Sequence, residues 1–259
     1  MIFLNLIVIF ILGLCVGSFL NVLIDRIPTG KSIWRGRSHC DHCKHVLSWY
    51  ELIPVVSFFM LERKCRRCHK KISWQYPLIE IITGILFLFT YTLFIQITEV
   101  YILLKLIYYL MVISGLIAIF FTDLKYRIIP DEILIVLTAI TVFYLFFSQK
   151  IQFLNHILSG LVFFSIFLIL VIITRGKGMG LGDVKYAFVM GFILGSTSTI
   201  VSFYLSFLTG AAVSLILVIR GRKSMKSTIP FGPFLTGATV VSLYYGDYLW
   251  NIFRKIIGL

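Results

Sequence analysis

YILLKLIYYLMVISGLIAIFFTDLKYRIIP, Tyr101 to Pro130, decides the fold class. From Tyr101 to Thr122 it is mostly apolar and long enough to cross a hydrocarbon layer, which takes about 20 residues. It then closes on Asp123, with Lys125 and Arg127 just beyond. A carboxylate at a bilayer centre costs roughly 2.5–3.5 kcal/mol on insertion scales, so an acid at the end of a membrane helix invites a functional reading. A second acid, Asp183, opens another apolar run in GMGLGDVK, Gly178 to Lys185. Two such residues suggest a paired acid and base.

The rest of the chain repeats the apolar pattern. Of its 259 residues, 59% are hydrophobic and 14% charged, with a mean hydropathy of +0.97. A water-facing domain is usually about 45–50% apolar, so the bulk of this chain belongs in lipid. Candidate spans are 2–24, 78–97, 101–122, 129–147, 153–174, 184–198, 199–219 and 234–252. The expected fold is an all-α polytopic membrane protein of about eight transmembrane helices with a small cytoplasmic zinc-binding loop domain. The sixth and seventh spans are short and abut around Gly195–Thr199, the least secure boundary. The first run lacks a basic leader region and a small-residue cleavage site, so it reads as a retained helix. Three segments result: a first transmembrane helix at 1–24, a loop domain at 25–77 and a multi-helix core at 78–259.

Charge orients this arrangement. With eight spans, 20 of the 24 Lys and Arg residues fall on one side of the membrane. Basic loops stay in the cytoplasm, so both termini are expected outside, and Asp123 and Asp183 at the cytoplasmic ends of their helices. The net charge of +13 is thereby explained without nucleic acid as a partner.

Segment 25–77 carries Cys40-x-x-Cys43 and Cys65-x-x-Cys68. This spacing fits a tetrahedral four-thiolate zinc site, and a metal supplies folding energy that about 50 residues cannot find in a core. The cytoplasm is reducing, which disfavours disulfides; free dithiols or a redox pair are the alternatives. His39, His42, His45 and His69 are substitute ligands or solvent-facing groups. Cys15, inside the first apolar run, reads as a packing or lipid-facing residue. Trp49–Pro54 is an aromatic stretch suited to the headgroup region or to a pocket wall.

Around Asp183, Gly176, Gly178, Gly180 and Gly182 allow another backbone to approach the carboxylate. No Walker lysine pattern is present, which argues against a phosphate loop. The plain alternative for Asp183 is a helix N-cap. Asp123 sits at a helix C-terminus, where the dipole disfavours an anion; its alternative is an ion pair with Lys125 or Arg127. Asp131, beside Pro130 and Glu132, fits the first turn of the next helix. Asn21 reads as a helix-packing residue.

These motifs together resemble the prepilin peptidases, the bifunctional type IV leader peptidase family. Gly180-Leu-Gly-Asp183 matches its GxGD pattern, supported by Lys125 and Lys185. Gly17-Ser-Phe-Leu-Asn-Val22, the four cysteines, Trp49-Tyr-Glu-Leu-Ile-Pro54, Tyr76-Pro-Leu-Ile-Glu80, Asp123-Leu-Lys with Ile129-Pro-Asp131, and Ile229-Pro-Phe-Gly-Pro-Phe234 follow the family in order. The resemblance implies that Asp123 and Asp183 are catalytic. It implies that the enzyme removes the basic leader of type IV prepilins or pseudopilins after a glycine, at the cytoplasmic face of the bacterial inner membrane. It further implies S-adenosylmethionine-dependent N-methylation of the new N-terminus, with Glu51 and Lys64 as candidate cofactor contacts. The chain departs from the family at Arg63-Lys64, where glycine and a basic residue are common, and at Glu51, where aspartate is. The rival class is an ion- or proton-coupled transporter using the same aspartates; it requires polar residues through several helices.

Overall fold

A computed structural model describes residues 2–95, 102–148, 150–176, 178–221 and 229–257. The basic loop expected around 220–233 therefore lies partly outside the described residues. The described residues form eight α-helices: α1 (Ile2–Arg26), α2 (Val56–Met60), α3 (Gln75–Phe94), α4 (Ile102–Tyr126), α5 (Asp131–Ser148), α6 (Phe153–Ile173), α7 (Leu181–Ile219) and α8 (Gly232–Ile257). The only β pairing among the described residues is two isolated bridges, His39 with Val46 and Lys64 with Lys71. Among the described residues, six helices, α1 and α3 to α7, are long and apolar enough to cross a membrane. This is an all-helical multi-pass membrane protein.

The count of about eight spans meets that six through α7 and α8. Spans 184–198 and 199–219 belong to one helical stretch, α7, interrupted at Gly195 with φ 73° and ψ −179°. The interruption is a reversal. Ser202 Oγ donates to Met190 Sδ at 3.3 Å, whereas a straight helix would hold these residues about 18 Å apart. Arms 181–194 and 196–219 thus form a hairpin, and glycine is required at its turn because that φ/ψ region is essentially closed to other residues. Side-chain hydrogen bonds brace the turn. His156 Nδ1 lies 2.8 Å from the Phe192 carbonyl, Thr199 Oγ1 donates to the Gly195 carbonyl, and Ser159 Oγ donates to Thr199 at 3.2 Å. α8 is more polar than the six and supplies the remaining long helix.

The chain forms two compact units, Met1–Ala118 and Ile119–Leu259. In the first, α1 packs along α3 through small residues. A Cβ on Gly13 would meet the Gly84 Cα at 2.7 Å, and one on Gly17 the Glu80 Cα at 2.6 Å. In lipid such small-residue seams let backbones approach where hydrophobic burial gives no drive. Asn21 Nδ2 spans the same seam to the Tyr76 carbonyl at 3.1 Å, the packing role expected of it. In the second unit, α6 and α8 both pack on α7, and α5 touches it too. Glycine again sets the spacing: a Cβ on Gly191 would lie 2.8 Å from the Gly160 Cα.

Candidate active site and four-cysteine centre

Asp123 lies one turn from the end of α4, which stops where Arg127 takes φ 60° and its N–H bonds the Asp123 carbonyl at 2.9 Å. The Asp123 side chain is buried, 6% exposed. Its Oδ2 accepts the backbone N–H of Gly232, the first residue of α8, at 2.9 Å. Arg127 lines the same cleft and is near enough for its charge to act on this carboxylate as well.

Asp183 sits in the first turn of α7. Gly180 is the N-cap, so Asp183 occupies the third helical position and is not itself the cap. Its Oδ2 reaches back to accept the Gly180 N–H at 3.0 Å, the acidic half of a capping box. The glycines differ in what they permit. A Cβ on Gly182 would lie a tight 3.3 Å from the Ile129 side chain, whereas one on Gly180 would meet Asp183 Oδ2 at an ordinary 3.7 Å.

Asp123 and Asp183 line one cleft of about 380 Å³, with Arg127, Asp131, Glu132 and Lys185 among its walls. They are near enough for their charges to interact. Lys185 bridges Asp131 through both carboxylate oxygens, at 2.9 and 2.7 Å, and so ties α7 to the start of α5. Asp131 accordingly does more than favour its helix start. Lys125, beyond Asp123, lies over the Tyr126 ring at 5.2 Å. Gly232, which bonds Asp123, is the residue that sequence reading left without a role; its place in Ile229–Phe234 was visible, its bond to Asp123 was not.

The four-cysteine cluster lies in the first unit. Cys40, Cys43, Cys65 and Cys68 bring their sulfurs within 4.8 Å of one another and could hold a metal ion. Two matching turns build it. Cys40 N–H bonds the His45 carbonyl as Cys65 N–H bonds that of Lys70, and Leu47 N–H bonds Ser38 as Ile72 N–H bonds Arg63. Lys44 and His69, each just after a Cys pair, take positive φ. The thiols do not titrate alike. Backbone N–H groups of Cys68 and Arg67 pull Cys65 down to about 7. At Cys68 the Lys70 N–H favours the thiolate, but desolvation and the other sulfurs outweigh it and push the group up to about 11. His39, His42 and His69 are exposed, and the four sulfurs cluster without a histidine. Cys15 is exposed on α1, as a lipid-facing residue would be.

The same unit holds the residues proposed for a cofactor. Glu51 is buried, 7% exposed; its Oε2 accepts the Ser48 N–H at 2.7 Å, and its Oε1 has no partner. Lys64 is exposed and faces Glu62 at 3.8 Å. Glu80, buried on α3, accepts the Val55 N–H at 2.7 Å. Val55 has φ 63°, a strained value for a β-branched residue, so Glu80 holds a tight turn of the loop against a membrane helix.

A helical membrane chain with carboxylates from two helices on one cleft, and a four-cysteine cluster between α1 and α3, defines a multi-pass membrane enzyme. Its family follows from comparison. Residues 11–94 match the Bacterial Peptidase A24 N-terminal domain, and residues 110–215 match the Type IV leader peptidase family. A prepilin leader peptidase/N-methyltransferase of Bacillus subtilis (strain 168) is 32% identical over 249 residues, 96% of this chain and 98% of that protein. One of Stutzerimonas stutzeri is 28% identical over 266 residues, 92% of this chain and 90% of that one. Another, of Pseudomonas aeruginosa, is 27% identical over 282 residues, 96% and 93%. No solved structure matches. The chain belongs to the type IV leader peptidase family.

Proposed function

We propose that this chain is an aspartyl endopeptidase that removes the basic leader of type IV prepilins or pseudopilins after a glycine, with Asp123 and Asp183 as its catalytic pair. The observation that carries the reading is their meeting on one cleft from separate helices, each held by one backbone N–H. Two neighbouring carboxylates cannot both ionise freely and share a proton. The ionised one takes a proton from water as it attacks the scissile carbonyl, and the protonated one donates to the carbonyl oxygen. Gly180, where a Cβ would meet only ordinary contacts, leaves room for a substrate backbone alongside, and Gly182 closes on Ile129. Lys185 holds Asp131 and Lys125 flanks Asp123, both as supports of the site.

The cysteine cluster fits zinc. A tetrahedral ion with Zn–S bonds of about 2.3 Å sets sulfurs about 3.8 Å apart; Cys40 and Cys68 stand at 3.8 Å, Cys43 and Cys65 at 3.9 Å. Four protein ligands leave no open position, so the ion's work is structural. The new N-terminus is then N-methylated, and S-adenosylmethionine supplies the methyl group when bound. The unpartnered, buried Oε1 of Glu51 fits an N–H donor such as an ammonium group; exposed Lys64 is the weaker candidate. The basic-loop bias and the α7 hairpin, which returns the chain to its starting side, support a cytoplasmic-facing site with both termini outside, in the bacterial inner membrane. Nucleic acid has no part in this reading; membrane lipid and the prepilin are the partners.

Mass spectrometry of a prepilin incubated with the purified protein and S-adenosylmethionine tests both activities. Wild type is expected to yield a product cut after glycine and heavier by one methyl group. Asp123→Asn and Asp183→Asn are each expected to leave the prepilin whole. Cleavage surviving either change would refute the paired-acid mechanism.

A further inference from the structure

The donor that meets Asp123 stands at a helix start with no substitute. Gly232 opens α8, a helix of 26 residues, so its N–H is one of the donors left free at every helix start, with the positive end of the helix dipole behind it. The other first-turn donors are unavailable. Pro233 has no N–H, and those of Phe234 and Leu235 both go to the Phe231 carbonyl, at 3.0 and 3.2 Å. Gly232 alone among these four residues can serve the carboxylate.

Its lack of a side chain matters as much as its N–H. A Cβ at 232 would lie 2.6 Å from Asp123 Oδ2, 2.9 Å from Cγ and 3.1 Å from Cβ, all closer than a relaxed contact of about 3.5 Å. Only two movements relieve that overlap: the carboxylate turns off the N–H, or α8 withdraws. Both displace the oxygen that the bond fixes. The clearance is unlike that at Gly180, where a Cβ would meet Asp183 Oδ2 at an ordinary 3.7 Å.

We infer that Gly232 is a positioning residue for the peptidase reaction: its N–H fixes the rotation of the Asp123 carboxylate, and its missing Cβ is what lets the carboxylate come within bonding distance. With Oδ2 tied to α8, the second oxygen is left for water or substrate. The inference rests on the paired-acid reading above.

The test compares kcat and KM for cleavage of a prepilin by the full-length protein in nanodiscs, with kcat expressed per folded molecule counted in the monodisperse fraction. Four variants enter: Gly232→Ala, Thr236→Val, Asp123→Asn and Asp183→Asn. Thr236 Oγ1 donates to the Gly232 carbonyl at 2.8 Å, so its valine variant disturbs the same helix end but leaves the Gly232 N–H and its clearance intact. Gly232→Ala is expected to lower kcat at least about 100-fold, the scale on which small misplacements of reacting groups act, with KM within about threefold of wild type. Thr236→Val is expected to keep kcat within about threefold. A Gly232→Ala kcat within threefold of wild type, or no lower than that of Thr236→Val, overturns the positioning role, as does a loss confined to KM. If Asp123→Asn or Asp183→Asn still cleaves, the paired-acid reading fails first, whatever Gly232→Ala does.

Discussion

Gly17→Ala measures how far the α1–α3 seam sets the stability of the first unit. The new Cβ would stand 2.6 Å from the Glu80 Cα and 3.1 Å from both the Ile79 carbonyl and Thr83 Oγ1. Relaxed contacts lie at about 3.5–4.0 Å, so the two helices must part by roughly 1 Å at this level. Overpacking of this kind costs about 1–3 kcal/mol. The displacement also acts on Glu80, whose Oε2 holds the Val55 N–H at 2.7 Å; moving it that far takes the pair beyond bonding range. A hydrogen bond to a charged group contributes about 1.5–3 kcal/mol. Alanine's better helix propensity offsets about 1 kcal/mol. The net expected loss is about 1.5–5 kcal/mol, read by SDS titration of the full-length protein in mixed micelles and followed by far-ultraviolet circular dichroism. Gly237→Ala is the internal control, because a Cβ there meets nothing within 4 Å; it should be neutral or slightly stabilising. A Gly17→Ala midpoint equal to that of Gly237→Ala would refute the reasoning, since the seam would then have space that the geometry denies.

Two further outcomes follow. Gly195→Ala forces alanine to φ 73° at the α7 reversal, with its Cβ 3.3 Å from His156 Nε2; the same titration should read a loss of about 1–3 kcal/mol, and an unchanged midpoint would contradict the hairpin. Wild-type protein should carry one zinc per chain by elemental mass spectrometry. Cys43→Ser should lose most of it and let trypsin cut the Lys- and Arg-rich loop at least about tenfold faster, because structural zinc is itself folding energy; undiminished zinc content would remove Cys43 from the ligand set.

Much of this protein was legible because the relevant physics is local. Transfer into lipid depends on composition over about 20 residues, so the apolar runs announced the helices, and the loop charges argued for their orientation. Two Cys-x-x-Cys pairs specify a thiolate cluster through ligand spacing alone, and the cluster forms. The acids Asp123 and Asp183 stood out because charge is costly where they lie. Local reading also misplaced details: Asp183 proved to be the third residue of its helix, with Gly180 as the cap, and the Gly195–Thr199 boundary proved to be a hairpin turn.

What only the tertiary structure decided are pairings between distant positions. The Gly232 N–H on Asp123, the double bridge from Lys185 to Asp131, His156 against the Phe192 carbonyl and Glu80 under Val55 leave no periodic trace in the chain. The reason lies in the solvent. Lipid tails are as apolar as the side chains they surround, so no hydrophobic stripe tells one membrane helix which neighbour to choose. That choice falls to the clearance at a few glycines and to single hydrogen bonds, and these exist only once the helices are side by side.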